Sequence, residues 1–155
     1  MPRRILVAVF VGLAGLIPLH GCAPRLPPVV PVQGKVLLNG QPLPKAAVTF
    51  VPLLDHFGAE SNSTAETDEN GQFTLTCAYN NQPGAVIGKH IVLVAEPPPP
   101  ENMRNVQDGR VLDNYRAKLG NRPIPPQYSS VSQSPIRIEI KQGQEPVTIE
   151  LTRDR

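Results

Sequence analysis

The chain has no tryptophan, three tyrosines and four phenylalanines in 155 residues. Broad aromatic platforms are therefore scarce. Its two cysteines, Cys22 and Cys77, exclude the disulfide framework that holds many small exported domains. The main apolar run, Ile5 to Ile17, falls short of the ~20 residues that a membrane-spanning helix needs. The formal charge of +2 comes with no basic patch interleaved with aromatics, so nucleic-acid binding has no footprint. Three histidines, His20, His56 and His90, show no i, i+2 or i, i+4 spacing and make no metal signature. The serines at 61, 63, 129, 130, 132 and 134 lie in polar stretches, none within a G-x-S-x-G nucleophile motif. Asp68 and Glu69 are adjacent and project differently, unlike the facing carboxylates of a glycosidase.

What is present begins at the amino terminus. Arg3 and Arg4 precede the apolar run, and Leu19-His20-Gly21-Cys22 follows it. A charged start, a short apolar stretch and a small residue at the end make an export signal. The Leu-x-Gly-Cys ending resembles the lipobox of bacterial lipoproteins. The resemblance implies a signal peptide over 1–21, cleavage before Cys22, and lipid on the Cys22 sulfur and new amino terminus. The remainder is then expected outside the cytoplasm, lipid-anchored to a cell-envelope membrane. Ala23 after the cysteine, rather than an aspartate, favours the outer membrane over the inner.

Cleavage removes 21 of the 155 residues and leaves 134, enough for one domain with a real core. Arg3 and Arg4 leave with the signal, so of 15 basic residues 13 remain, against 13 acids. Cys77 then has no partner, and it reads as a small apolar residue near a strand end. Proline is abundant, with 19 residues, and clusters at Pro24 to Pro31, Pro97 to Pro100 and Pro123 to Pro126. Because proline is excluded from helix interiors and central strands, these clusters mark segment boundaries. Residues 22–31 read as a short extended tether.

Beyond the tether the apolar period is two. Val32 to Leu38 ends at the tight-turn dipeptide Asn39-Gly40, and Ala47 to Val51 ends at Pro52. Ser63 to Thr67, Gln72 to Thr76 and Lys89 to Ala95 follow as strands. Asp68 to Gly71 is a turn in which the Asp68 side chain accepts backbone N–H bonds; its spacing does not suit a calcium loop. Ile136 to Ile140 and Val147 to Thr152 alternate around Gln142-Gly143 and predict a closing hairpin. Seven short strands make an all-β sandwich over 32–152, with a tail at 153–155. Residues 97–127 are a long excursion. Within it, Asp108 suits the cap of a helix carrying Val111, Leu112, Tyr115 and Leu119 and ended by Gly120; an irregular loop is equally open. His90 shares a face with Val92 and Val94, which places it partly buried and hydrogen-bonded rather than on a metal.

Val32-Gln33-Gly34-Lys35-Val36, then Asn39-Gly40-Gln41-Pro42-Leu43, resemble the opening of carboxypeptidase-regulatory-like domains. Ala46 to Phe50, Thr67 to Phe73 and Pro83 to Val94 continue the likeness, and Ile124 to Ser129 is similar to small lipoproteins built on this domain. The resemblance covers about Val32 to Leu151. It implies a seven-stranded Greek-key β-sandwich of transthyretin/prealbumin-like type. Hydrolases of related fold end in Tyr-Arg-Gly-Ser, whereas this chain ends Leu151-Thr152-Arg153-Asp154-Arg155. Pilin-type sandwiches crosslink a lysine to an asparagine, and Val147 to Thr152 contains none.

The expectation is a noncatalytic interaction or structural module without cofactor or metal, its partner an envelope protein or polysaccharide. The contact surface is expected on the excursion, at Tyr115, Tyr128, Arg104, Arg110, Arg116 and Arg122, since Tyr and Arg are enriched at binding hot spots. The plain alternative is an excursion that covers a sheet edge. A carbohydrate-binding accessory domain has only Tyr79, Tyr115 and Tyr128 to stack on sugars, and a hydrolase lacks a recognisable centre.

Overall fold

A computed structural model describes residues 26–153. The expected signal segment, 1–21, and Cys22 lie outside the described residues. Among those described, the chain forms eleven strands and one α-helix. In chain order they are β1 (Val29–Val30), β2 (Gln33–Leu38), β3 (Gln41–Pro42), β4 (Ala47–Pro52), β5 (Ser63–Glu66), β6 (Gln72–Thr74), β7 (Thr76–Cys77) and β8 (Ala85–Val86). Then come β9 (Gly88–Ala95), α1 (Gly109–Lys118), β10 (Arg137–Ile140) and β11 (Val147–Leu151). A five-stranded sheet has the order β10-β9-β4-β5-β7. A four-stranded sheet has β2 at its centre, flanked by β11 on one side and by β3 and β6 on the other. A ribbon of β1 and β8 stands apart.

Alternation explains the packing. In β4 the inward residues Val48, Phe50 and Pro52 are buried, while Ala47, Thr49 and Val51 are only half-buried. On the other sheet Val36, Leu38, Ile149 and Leu151 face the same core. The rings of Phe50 and Phe73, one from each sheet, lie 6.2 Å apart and join the two layers. Fully burying a side chain such as Phe50 stabilises the fold by about 2–3 kcal/mol. The architecture is sandwich-like and mostly β. Asn39 and Gly40 both take positive φ, 52° and 75°, which turns β2 into β3.

Three expectations need correction. The last two strands are not a hairpin: β10 pairs with β9, and β11 pairs in parallel with β2 in the other sheet. Each turns one apolar face to the core between the sheets, and that alternation does not specify which strand lies beside it. The tether is shorter than 22–31, because Val29–Val30 pair with Ala85–Val86 and Val30 is 4% exposed. The strand Gln72 to Thr76 is broken in two at Leu75, with β6 on one sheet and β7 on the other.

The register defines two ends. At one, β4 finishes at Pro52, β9 begins at Gly88 and β10 finishes at Ile140. The β1–β8 ribbon closes this end, with Val30, Ala85 and Val86 buried. At the other end β2, β9 and β11 meet the excursion.

Candidate interaction surface

The excursion leaves β9 at Glu96 and returns through Asn121 to Tyr128. That return is tied down by polar groups. Arg122 donates from Nε to Glu96 Oε2 at 2.7 Å, and its side chain is 4% exposed. Its Nη2 donates to the carbonyls of Pro44 and Lys45, at 2.7 and 3.0 Å, and Nη1 donates to Gly120 O. The other Glu96 oxygen accepts from Ile124 N at 3.1 Å. Asn121 Nδ2 lies 3.1–3.2 Å from the carbonyls of Leu38, Gln41 and Pro42. Tyr128 is buried, and its hydroxyl sits 3.1 Å from Thr152 N, which donates to it, and 3.2 Å from Thr152 O. Arg153 reaches Asn121 Oδ1 from the carboxyl end.

Between these anchors stands α1. Asp108 caps it, accepting from Arg110 N at 3.0 Å, and Gly120 takes φ 77° just beyond its end. Arg116 and Lys118 in the last turn complement the helix dipole. No residue of α1 is buried. An isolated ten-residue helix is marginal in water, so the caps and the anchored return contribute to holding it. Val111 is 41% exposed. Beneath α1 runs a groove of about 580 Å³ lined by Glu96, Asp113, Arg116, Asn121, Arg122 and Ile124, among others. Its charged groups are paired with each other, Arg116 with Asp113 at 3.5 Å and Arg122 with Glu96.

The expected contact residues therefore divide. Tyr115 and Arg116 lie half-buried on α1, and Arg110 and Arg104 are exposed beside Asp108 and Glu101 respectively. Tyr128 and Arg122 are withdrawn from the surface. Burial lets the tyrosine ring fill core volume while its hydroxyl meets Thr152, and four acceptors, on Glu96, Pro44, Lys45 and Gly120, claim the guanidinium. Sequence reasoning missed Glu96, Asn121 and Thr152. The only signals were an acid directly before a proline run and an asparagine directly after a helix-ending glycine.

Elsewhere, Asp68 Oδ1 accepts from the N–H groups of Asn70 and Gln72, both at 2.8 Å, in the turn as expected. Cys77 is buried at the end of β7. His56 is exposed, in a loop. His90 is fully buried rather than partly so. Its Nδ1 meets Gly88 O at 3.0 Å, while Nε2 has no partner among the described residues, like the buried Oγ of Ser63. Burial holds the His90 imidazole below its usual pKa, against the opposing pull of the Gly88 carbonyl. Ser134 donates to Val92 O and Ser61 to Gly58 O, so both hydroxyls serve local structure. A second cleft, of about 610 Å³, crosses the four-stranded sheet beside Lys35, Asp68, Gln72 and Thr148.

No protein-family model, curated protein or solved structure matches this chain.

Proposed function

We propose that this protein is a lipid-anchored, noncatalytic β-sandwich of carboxypeptidase-regulatory-like, transthyretin type that presents α1 to a protein partner at the cell envelope. The observation that carries the reading is a helix with no buried residue, capped and clamped by a largely buried polar latch. A helix kept in place without contributing to the core is suited to contact something else. Val111, Lys118 and the carboxylate-paired Arg110 and Arg116 offer a mixed apolar and polar surface to a protein partner.

The lipobox supports the anchor. The family reading is supported by where its motif stretches fall: Gln33 to Val36 on β2, Asp68 to Gly71 at a turn, Lys89 to Val94 on β9. The noncatalytic reading is supported by the pairing of charges in the groove. The carbohydrate alternative has less behind it, because Phe73, the one aromatic in the larger cleft, is only 4% exposed.

The test is mass spectrometry of the native amino terminus together with crosslinked neighbours, for the parent chain and for Val111→Asp. A lipidated Cys22 and a neighbour lost in the variant are expected. An unmodified Cys22 ends the anchor reading, and an unchanged neighbour list ends the α1 reading.

A further inference from the structure

We infer that the domain stands end-on at the membrane, with the Leu53 and Tyr79 loops resting in the lipid headgroup layer and α1 at the far end. The inference rests on the proposed lipidation of Cys22. Its physical basis is reach. Ile87 N donates to Pro28 O at 2.9 Å, so the folded body begins at Pro28. Six residue steps separate Cys22 from Pro28, which fully extended span about 20 Å.

The chain enters the body at the end where β9 begins. β1 runs antiparallel to β8, with Val29 opposite Val86, so the path back from Val30 to Pro28 leads toward Ile87 and Lys89. Lys89 O accepts from Leu53 N at 2.8 Å, and Asn62 O accepts from Ala78 N at 2.8 Å. The loops after β4 and β7 are thereby fixed at this same end. They carry two of the most exposed large side chains, Leu53 at 53% and Tyr79 at 60%. A tyrosine is at home among headgroups, where its ring and hydroxyl meet different solvents.

The excursion leaves from the opposite end of β9, whose eight residues span about 25 Å. A tether of about 20 Å is shorter than that separation and opposes inversion, while the exposed Leu53 and Tyr79 favour the end-on pose over a side-on one. Charge does not drive the contact: Lys89, Arg137 and Lys141 at this end, with Arg25 in the tether, are matched by Asp55, Glu60, Glu139 and Glu145. The surface that fits is therefore a largely zwitterionic headgroup layer, reached through the anchor and two apolar side chains.

The experiment uses the full lipidated chain in vesicles of phosphatidylcholine and phosphatidylethanolamine containing a headgroup nitroxide lipid. A fluorophore is placed in turn at Leu53→Cys, Tyr79→Cys and Val111→Cys, all exposed positions; Cys77 is fully buried and does not compete. The first two labels are expected to lose most of their fluorescence and the third almost none, with the pattern unchanged in high salt. Equal quenching at all three, or stronger quenching at Val111→Cys, overturns the orientation while a lipidated Cys22 keeps the anchor. A Cys22 without lipid removes both.

Discussion

The two ends of the sandwich are closed by opposite chemistry. At the end where the amino-terminal segment enters, backbone and small apolar side chains do the closing: β1 lies on β8, and Val30, Ala85 and Val86 are buried. At the other end the closure is polar, with Arg122, Glu96, Asn121 and the Tyr128–Thr152 contact. An apolar ribbon tolerates no intruding atom, since its stability comes from close packing. A polar latch adds little net stability, because desolvation offsets much of the attraction, but its geometry is specific. The first device seals a core, and the second positions a segment outside the core.

The largest effect is expected at the latch. Arg122→Ala leaves Glu96 as a mostly buried acid without its cation and strands the carbonyls of Pro44 and Lys45. Removing one partner of a buried pair costs about 3–5 kcal/mol, read as a fall in the urea midpoint. Arg122→Lys does not restore it, since one ammonium does not reproduce the planar fork that serves Glu96, Pro44 and Gly120 together. Full recovery with lysine would show that only charge matters there.

The apolar end has its own weak point. Gly84 takes φ 118°, and a Cβ on it would overlap the Val30 carbonyl. Gly84→Ala is expected to cost about 2–3 kcal/mol and to expose the ribbon to protease. The measurements are the urea midpoint and limited proteolysis near Pro27–Pro31. Protection equal to the parent chain would mean that β1 is not part of the seal.

A smaller effect separates the core beneath this end from the latch by pH. Buried His90 resists protonation, and Phe50, Pro52 and Ile138 surround or flank it without a charge. With its folded pKa lowered, the unfolded chain binds the proton first. No contribution exists well above pH ~6.5. As pH falls through that value the folded state loses stability, by at most about 1.4 kcal/mol per unit, until the folded histidine also protonates. His90→Leu removes this slope, and the loss at neutral pH is that of the single Nδ1 contact with Gly88 O, about 1 kcal/mol. Urea midpoints of both chains from pH 7.5 to pH 5 (roughly the histidine range) check it; parallel curves would dismiss the role of His90.

How much of this was legible in the sequence follows from the range of each interaction. β4, β9 and the Asp68 turn depend on period and local hydrogen bonds, and both are written in neighbouring residues. Asp108 and Gly120 bracket α1 for the same reason. The partner of β11 was not legible: an alternating strand shows which face is apolar but not which strand lies beside it. Nor was the fate of Arg122 and Tyr128. Both look like surface residues in a proline-rich loop, and only the contacts with Glu96, Pro44 and Thr152, some 24 to 78 positions away, draw them inward.

The smallest change in stability is expected from the most drastic local substitution. Asn114 lies in the middle of α1, and Asn114→Pro removes a helical hydrogen bond and clashes with the preceding turn, about 3 kcal/mol against the helix. In a core helix that loss would appear in global unfolding. Here no residue of α1 is buried, and the latch that follows is separate from it. The helix is thus expected to melt alone, as a local opening unit. Hydrogen exchange at Val111 to Lys118 rises to unprotected rates, the urea midpoint shifts by no more than about 0.5 kcal/mol equivalent, and partner capture is lost. A fall comparable to that of Arg122→Ala would place α1 within the cooperative core. The difference between an end built for sealing and an end built for display would then disappear.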